Sequence, residues 1–275
     1  MNEFDKALDL TTKSLRKLKE TGSPLRGSRE ALRRLGAARA KPAAAPAAAV
    51  AVSPSTPIAA PTLEVFPTSG GTKAERMEQL RAAVQPCEKC PNLARTRTQT
   101  VFGVGNIDAR IMFVGEAPGA DEDLQGEPFV GKAGQLLTKI IETMGVKRGD
   151  VFIANVLKCR PDMPAGSTGN RRPSATEMRT CLPYLRAQIE VIKPAVLVAL
   201  GSVAMEGLLG SVEPMARLRG RWHEFQGIPL MATYHPAYLL RNQAPTERRK
   251  VWEDILLVME RVGLPISEKQ RGYFR

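Results

Sequence analysis

The chain has 275 residues, with 40 Lys and Arg against 28 Asp and Glu and a formal charge of +12. That length suffices for one or two self-burying domains, and so basic a balance favours a polyanionic partner, nucleic acid ahead of anionic membrane. No apolar run approaches the ~20 residues of a membrane span, and MNEFDKALDL carries acids where a secretory leader is basic, so a cytoplasmic protein is expected.

Residues 1–40 hold ten Lys or Arg and five acids, with helical spacing at Leu8, Leu15, Leu18 and Leu32. They read as a basic, partly helical extension. Lys41 to Thr72 contains nine Ala and six Pro, which cannot build a packed core and reads as a disordered linker over 41–72. A folded domain over 73–275 follows. Its helices are expected at Ala74–Val84, Ala133–Met144, Thr176–Ile192, Val203–Leu209 and Thr246–Val262. Between them, short apolar strands are expected at Arg110–Val114, Val151–Val156, Ala195–Leu200 and Pro229–Tyr234. Apolar strands alternating with helices imply an α/β fold, a three-layer sandwich around a mostly parallel four-stranded sheet.

Four cysteines occur as Cys87-x2-Cys90, then Cys159, then Cys181. In a reducing compartment this pattern reads as a four-thiolate metal site rather than two disulfides. A zinc ribbon closes with a second CxxC, which is missing here, and the Cys90-Pro91 dipeptide occurs in iron–sulfur runs. Spacing alone leaves zinc and iron–sulfur both open.

In open α/β sheets ligands sit outside the carboxyl ends of the strands. Glu116, Asn155, Gly201 and His235 follow or end the four expected strands, so their loops should meet in one crevice. The first of these loops, VGEAPGADEDLQGEPFVGKAGQLL, is glycine-rich, as phosphate-binding loops are. Yet Glu116, Asp121, Glu122 and Asp123 would repel phosphate, and the Lys-Ser/Thr ending of a phosphate loop is missing. Asn155 is either a turn cap or a reader of a base edge. Phe129 is either a core plug or a stacking platform, and His235 is either a structural hydrogen-bonder or a catalyst.

The stretches CEKCPNLARTRTQTVFGVGN, VGEAPGADEDLQGEPFVGKAGQLL, NVLKCRP, GNRRPSATEMRTCLPYL and YHPAYLLRN resemble the family 4 uracil-DNA glycosylases in content and order, from about Arg76 to Leu257. The resemblance implies an α/β sandwich with a [4Fe–4S] cluster on Cys87, Cys90, Cys159 and Cys181. It implies hydrolysis of the N-glycosidic bond of uracil in single- and double-stranded DNA, leaving an abasic site after the base is flipped out. Within the pocket it assigns Gly115, Glu116 and Ala117 to the turn against uracil and Phe129 to stacking. Asn155 then reads the base and His235 stabilises negative charge at O2. Better-known uracil glycosylases carry Asp at the position of Ala117, which leaves Glu116 as first candidate for activating water and Asp123 as second. For DNA contact the candidates are Arg171, Arg172, Arg219, Arg221 and Arg241 on the backbone. Leu239 or Leu240 is the candidate wedge, with core packing as the alternative for that pair.

The loop PDMPAGSTGNRRP is longer than usual for the family. It has no His of the kind that bonds covalently to DNA in a related branch, so ordinary turnover is expected. The expected protein is a monomer without membrane attachment, and the N-terminal extension is a candidate tether for DNA or for a replication or repair protein. The competing reading is a non-catalytic iron–sulfur DNA-binding module.

Overall fold

The structure, a computed structural model, describes residues 70–164 and 169–275. The expected basic extension at 1–40 and linker at 41–72, apart from its last three residues, lie outside the described residues, as does 165–168. Helix α1 (Lys73–Val84) opens on a reciprocal cap. Thr72 Oγ1 accepts from the Glu75 amide at 3.2 Å and Glu75 Oε2 accepts from the Thr72 amide at 2.6 Å. These two bonds satisfy amides that a helix start otherwise leaves unpaired.

The elements then run α2 (Pro91–Thr96), β1 (Val104–Gly105), β2 (Ile111–Gly115), α3 (Ala120–Gln125), α4 (Lys132–Thr143) and a 3-10 turn (Arg148–Asp150). They continue with β3 (Phe152–Asn155), α5 (Ala175–Ile192), β4 (Val196–Leu200), α6 (Ser202–Leu209), α7 (Met215–Leu218) and β5 (Trp222–Phe225). Last come β6 (Ile228–Thr233), α8 (Pro236–Arg241), α9 (Pro245–Arg261) and α10 (Glu268–Arg271).

The sheet has six strands in the order β1-β3-β2-β4-β6-β5, which corrects the expected four. The inner four are the expected ones, all parallel, with Gly115 beside Asn155 and Leu200 beside Thr233. The two additional strands run antiparallel at the edges. Each evades an apolar-run search for a physical reason. Strand β1 has two residues, and β5 carries the polar sequence WHEF, of which only Phe225 is buried. An edge strand with one wet face needs no apolar run.

Side chains alternate across the central strands. Met112 and Val114 face one core with Leu80 of α1, Leu185 of α5 and Met205 of α6. Ile111 and Phe113 face the other with Leu137 of α4 and Trp252 and Ile255 of α9. Helices thus cover both faces, and each large side chain buried this way contributes roughly 1.5–3 kcal/mol. Pairing continues beyond the strand ends, where the Val156 amide donates to Gly115 O and the Leu157 amide to Glu116 O, each at 3.0 Å. On the other side the Gly201 amide donates to Thr233 O at 2.9 Å. These bonds join the carboxyl-end loops in two pairs, after β2 with after β3 and after β4 with after β6.

Candidate active site

A cleft of about 500 Å³ opens at that edge, lined among others by Glu116, Ala117, Arg171, Gly201, His235 and Arg241. Next to the lining residues Glu116 and His235, though not itself part of the lining, lies a tight floor. A Cβ added to Gly115 would collide with Asn155 Oδ1 and with the Phe129 ring, so only glycine lets these three approach. Asn155 is 2% exposed and its Oδ1 has no hydrogen-bond partner. An orphaned buried acceptor costs roughly 1–3 kcal/mol, and a ligand donor would repair it. Phe129 is buried with φ of 56°, a strained conformation for a side chain of this size. Its ring stands 5.5 Å from that of His235 at an interplanar angle of 30°.

The acids of the glycine-rich loop divide into distinct tasks. Glu122 accepts from the amides of Gly119, Val130 and Gly131, each at 3.0 Å. It thereby ties the start of α3 to the residues flanking Phe129. Asp123 is buried at 3% and accepts from the Thr98 amide with both oxygens, at 2.9 and 3.1 Å. It borders no part of the cleft. Asp121 is exposed. Glu116 alone among the four lines the cleft, where burial raises its pKa above the ordinary carboxylate value and the nearby Arg172 charge opposes the rise.

His235 caps α8. Its Nδ1 accepts from the Ala237 amide at 3.1 Å. Burial first, and then the charge of Arg241, lowers its pKa to about 4, so at neutral pH the ring is uncharged. With Nδ1 serving as acceptor, the remaining proton sits on Nε2. The second histidine, His223, bonds the carbonyl of Leu218 at 2.8 Å.

The candidate DNA contacts separate. Arg171 lines the cleft, but its guanidinium bonds Asp162 and both oxygens of Glu177, the latter at 2.6 and 2.9 Å. Asn92 joins the same knot, donating to Asp162 and Glu177 at 3.0 Å each. Arg172 pairs with Glu206. Arg219 pairs with the buried Asp254 at 2.7 and 3.0 Å, while Arg221 and Arg241 are exposed. Leu239 is buried in the core, and Leu240 is 39% exposed beside an apolar groove between α4 and α9. Sequence reasoning passed over Tyr234 and Tyr238, which line the cleft with ring centroids stacked 4.5 Å apart. Their positions one before and three after His235 are the signal that could have found them.

Cys87, Cys90, Cys159 and Cys181 line a single small cavity. Burial raises the Cys90 thiol to about 11 and Cys181 to about 12. Two donors are aimed at sulfur, with Arg97 Nη1 3.1 Å from Cys159 Sγ and the Lys158 amide 3.2 Å from Cys181 Sγ. Among the described residues no group of three or more His, Cys, Asp or Glu is gathered as one metal ion requires. Four thiols around a common cavity, supplied with N–H donors, form a donor set of the kind that thiolate-bound metal centres use.

A doubly covered parallel sheet with a polar cleft at its carboxyl edge is the plan of an α/β enzyme. Residues 102–256 match the sequence model of the uracil DNA glycosylase superfamily, and the chain belongs to that superfamily. It is 45% identical to a type-4 uracil-DNA glycosylase of Thermotoga maritima over 67% of this chain and 93% of the relative. It is 42% identical to one of Pyrobaculum aerophilum, over 61% and 86% respectively. A third, from Archaeoglobus fulgidus, is 40% identical over 65% of this chain and 93% of its own length. None of the helices in the described residues is long and apolar enough to cross a membrane.

Proposed function

We propose that the protein is a uracil-DNA glycosylase of DNA repair that hydrolyses the N-glycosidic bond of uracil in DNA and leaves an abasic site. The observation carrying this is the buried, unpartnered Asn155 Oδ1 behind Gly115, packed with Phe129 beside Glu116 and His235 of the cleft lining. Uracil, unstacked from DNA at a cost of a few kcal/mol, supplies the missing donor from its N3–H and stacks on Phe129. His235, neutral and protonated at Nε2, donates to O2 as negative charge develops on the departing base. Glu116, as carboxylate, favours positive charge on the sugar and orients the attacking water. Asp123 is engaged with Thr98 outside the cleft, so the base role falls to Glu116.

Cys87, Cys90, Cys159 and Cys181 would hold a [4Fe–4S] cluster. Bound, the cluster would cross-link the segment before α2, the chain after β3 and helix α5, a structural chemistry separate from hydrolysis. Arg241 and the exposed Leu240 are the proposed DNA backbone contact and wedge, with Arg171 and Arg172 holding the adjoining loop. The monomeric state, the cytoplasmic location and a DNA or protein contact for residues 1–72 belong to the same proposal.

The test uses purified protein with uracil-containing single- and double-stranded oligonucleotides. Alkali-labile sites at uracil and nowhere else are expected. Binding without any such site would favour the non-catalytic module.

A further inference from the structure

Lys158, between the base-reading strand and Cys159, is 1% exposed. Its Nζ turns back to donate to Asn155 O at 3.0 Å and to Gln188 Oε1 at 2.6 Å. Gln188 Nε2 donates to Phe102 O at 2.9 Å, which leaves its oxygen facing the ammonium. The main chain of the same lysine donates to Cys181 Sγ at 3.2 Å and accepts from the Val101 amide at 2.7 Å. Its side-chain acceptors are thus a backbone carbonyl and a side-chain amide, both neutral. A buried ammonium without counter-charge is costly, and the sulfurs nearest this residue are those of Cys159, its neighbour in sequence, and Cys181, to which its main chain donates.

We propose that Lys158 is a positioning residue that joins the cysteine centre to the base reader. Its charge offsets the net negative charge of four thiolates and their cluster, jointly with Arg97 on Cys159. Its bond to Asn155 O holds the end of β3, and with it the carboxamide behind Gly115. The proposal rests on the reading of Asn155 and of the four cysteines given above. Loss of the ammonium acts on both ends at once, loosening the cluster and letting the reader drift. DNA affinity, which is set at the surface, stays unchanged.

Lys158→Met keeps the length and removes the charge. Two quantities are measured on the full chain: the rate at which an iron chelator bleaches the cluster, and single-turnover uracil excision at saturating enzyme beside DNA affinity. Outer-shell partners of metal sites typically matter 10–100-fold, so about tenfold faster bleaching and about tenfold slower excision are expected, with affinity unchanged. Gln188→Glu sets a carboxylate against the ammonium and withdraws its charge from the sulfurs, so faster bleaching is expected there too. Wild-type bleaching in Gln188→Glu overturns the proposal even where Lys158→Met fails to fold. Wild-type bleaching or wild-type excision in folded Lys158→Met also overturns it, while the proposed function stands. An unsubstituted protein lacking iron or excision overturns the proposed function, and this inference with it.

Discussion

Glu116 and His235 reach the same cleft from opposite halves of the sheet, the first after β2 and the second after β6. Burial acts on both and moves them in opposite directions. It raises the pKa of the acid from an ordinary 4.5 and lowers that of the base from 6.5 to about 4. In each case the uncharged form gains. The consequences for function differ, because the proposed chemistry uses a neutral imidazole and an ionised carboxylate. Desolvation keeps His235 in the form proposed for it over the whole neutral range, whereas it pulls Glu116 away from the form proposed for it. The pair teaches that one physical cause prepares one residue and leaves the other to titrate.

The largest effect is expected away from this pair, on the floor they share. Asn155→Asp replaces the NH2 donor of the amide by an acceptor, which opposes uracil O4. Sites built around a fixed hydrogen-bond pattern reject the mismatched partner strongly, by about 10³ or more. A loss of single-turnover excision of that order is expected, with weak cytosine excision if the neighbours keep their places. Wild-type excision of uracil would show that Asn155 does not read the base, leaving shape and Phe129 as the source of selectivity.

His235→Ala removes the Nε2–H donor and should lower single-turnover excision about a hundredfold, the effect of losing one oxyanion donor. DNA affinity should change little, since the ring sits inside the cleft. If excision survives unchanged, the histidine serves only to cap α8 through its bond to Ala237.

The pH profile then separates the two. Single-turnover excision should be flat above the raised pKa of Glu116 and fall about tenfold per unit below it. His235 should add no limb until near pH 4. In Glu116→Gln the rate should be lower throughout and the carboxylate limb absent; a persisting limb would assign it to another group. Their contributions to stability have opposite signs. His235 binds its proton more readily when unfolded, so its contribution is full above about 6.5 and is lost as pH falls toward 4. Glu116 holds its proton more tightly when folded, so its contribution is full at low pH and is lost as pH rises through the raised value.

The four inner strands, the four long helices and the short one after β4 were legible because each is an apolar run or an apolar stripe. The edge strands were not, since in Trp222 to Phe225 only Phe225 is buried and no apolar run marks the strand. Which acid faces the cleft was equally hidden. Asp121, Glu122 and Asp123 lie in the first turn of α3, where neighbouring residues point about 100° apart, and no alternation of composition marks that rotation. The same holds on α8, where one position separates buried Leu239 from exposed Leu240. Lys158 was passed over because lysine is ordinarily a surface residue. Its partner Gln188, and Phe102 to which Gln188 donates in turn, are distant in sequence, so little that is local announces the network.

The smallest expected effect tests the division between Glu116 and its rival. Asp123 accepts from the Thr98 amide with both oxygens and lies outside the cleft. Asp123→Asn keeps one acceptor and turns the other into a donor facing an N–H, so a single hydrogen bond is weakened rather than a reacting group removed. The cost should be about 1–2 kcal/mol of stability, which for a domain of this size lowers Tm by roughly 2–8 °C. Excision at saturating enzyme, well below the new Tm, should stay within about threefold of the unsubstituted protein, since no catalytic proton transfer is lost. The low-pH limb should remain where it was, because the carboxylate that produces it is still present at Glu116. A loss of a hundredfold or more in a folded Asp123→Asn, or disappearance of that limb, would move the base role to Asp123. It would also require the loop from Gly119 to Val130 to rearrange when DNA enters, because in the structure this carboxylate faces Thr98.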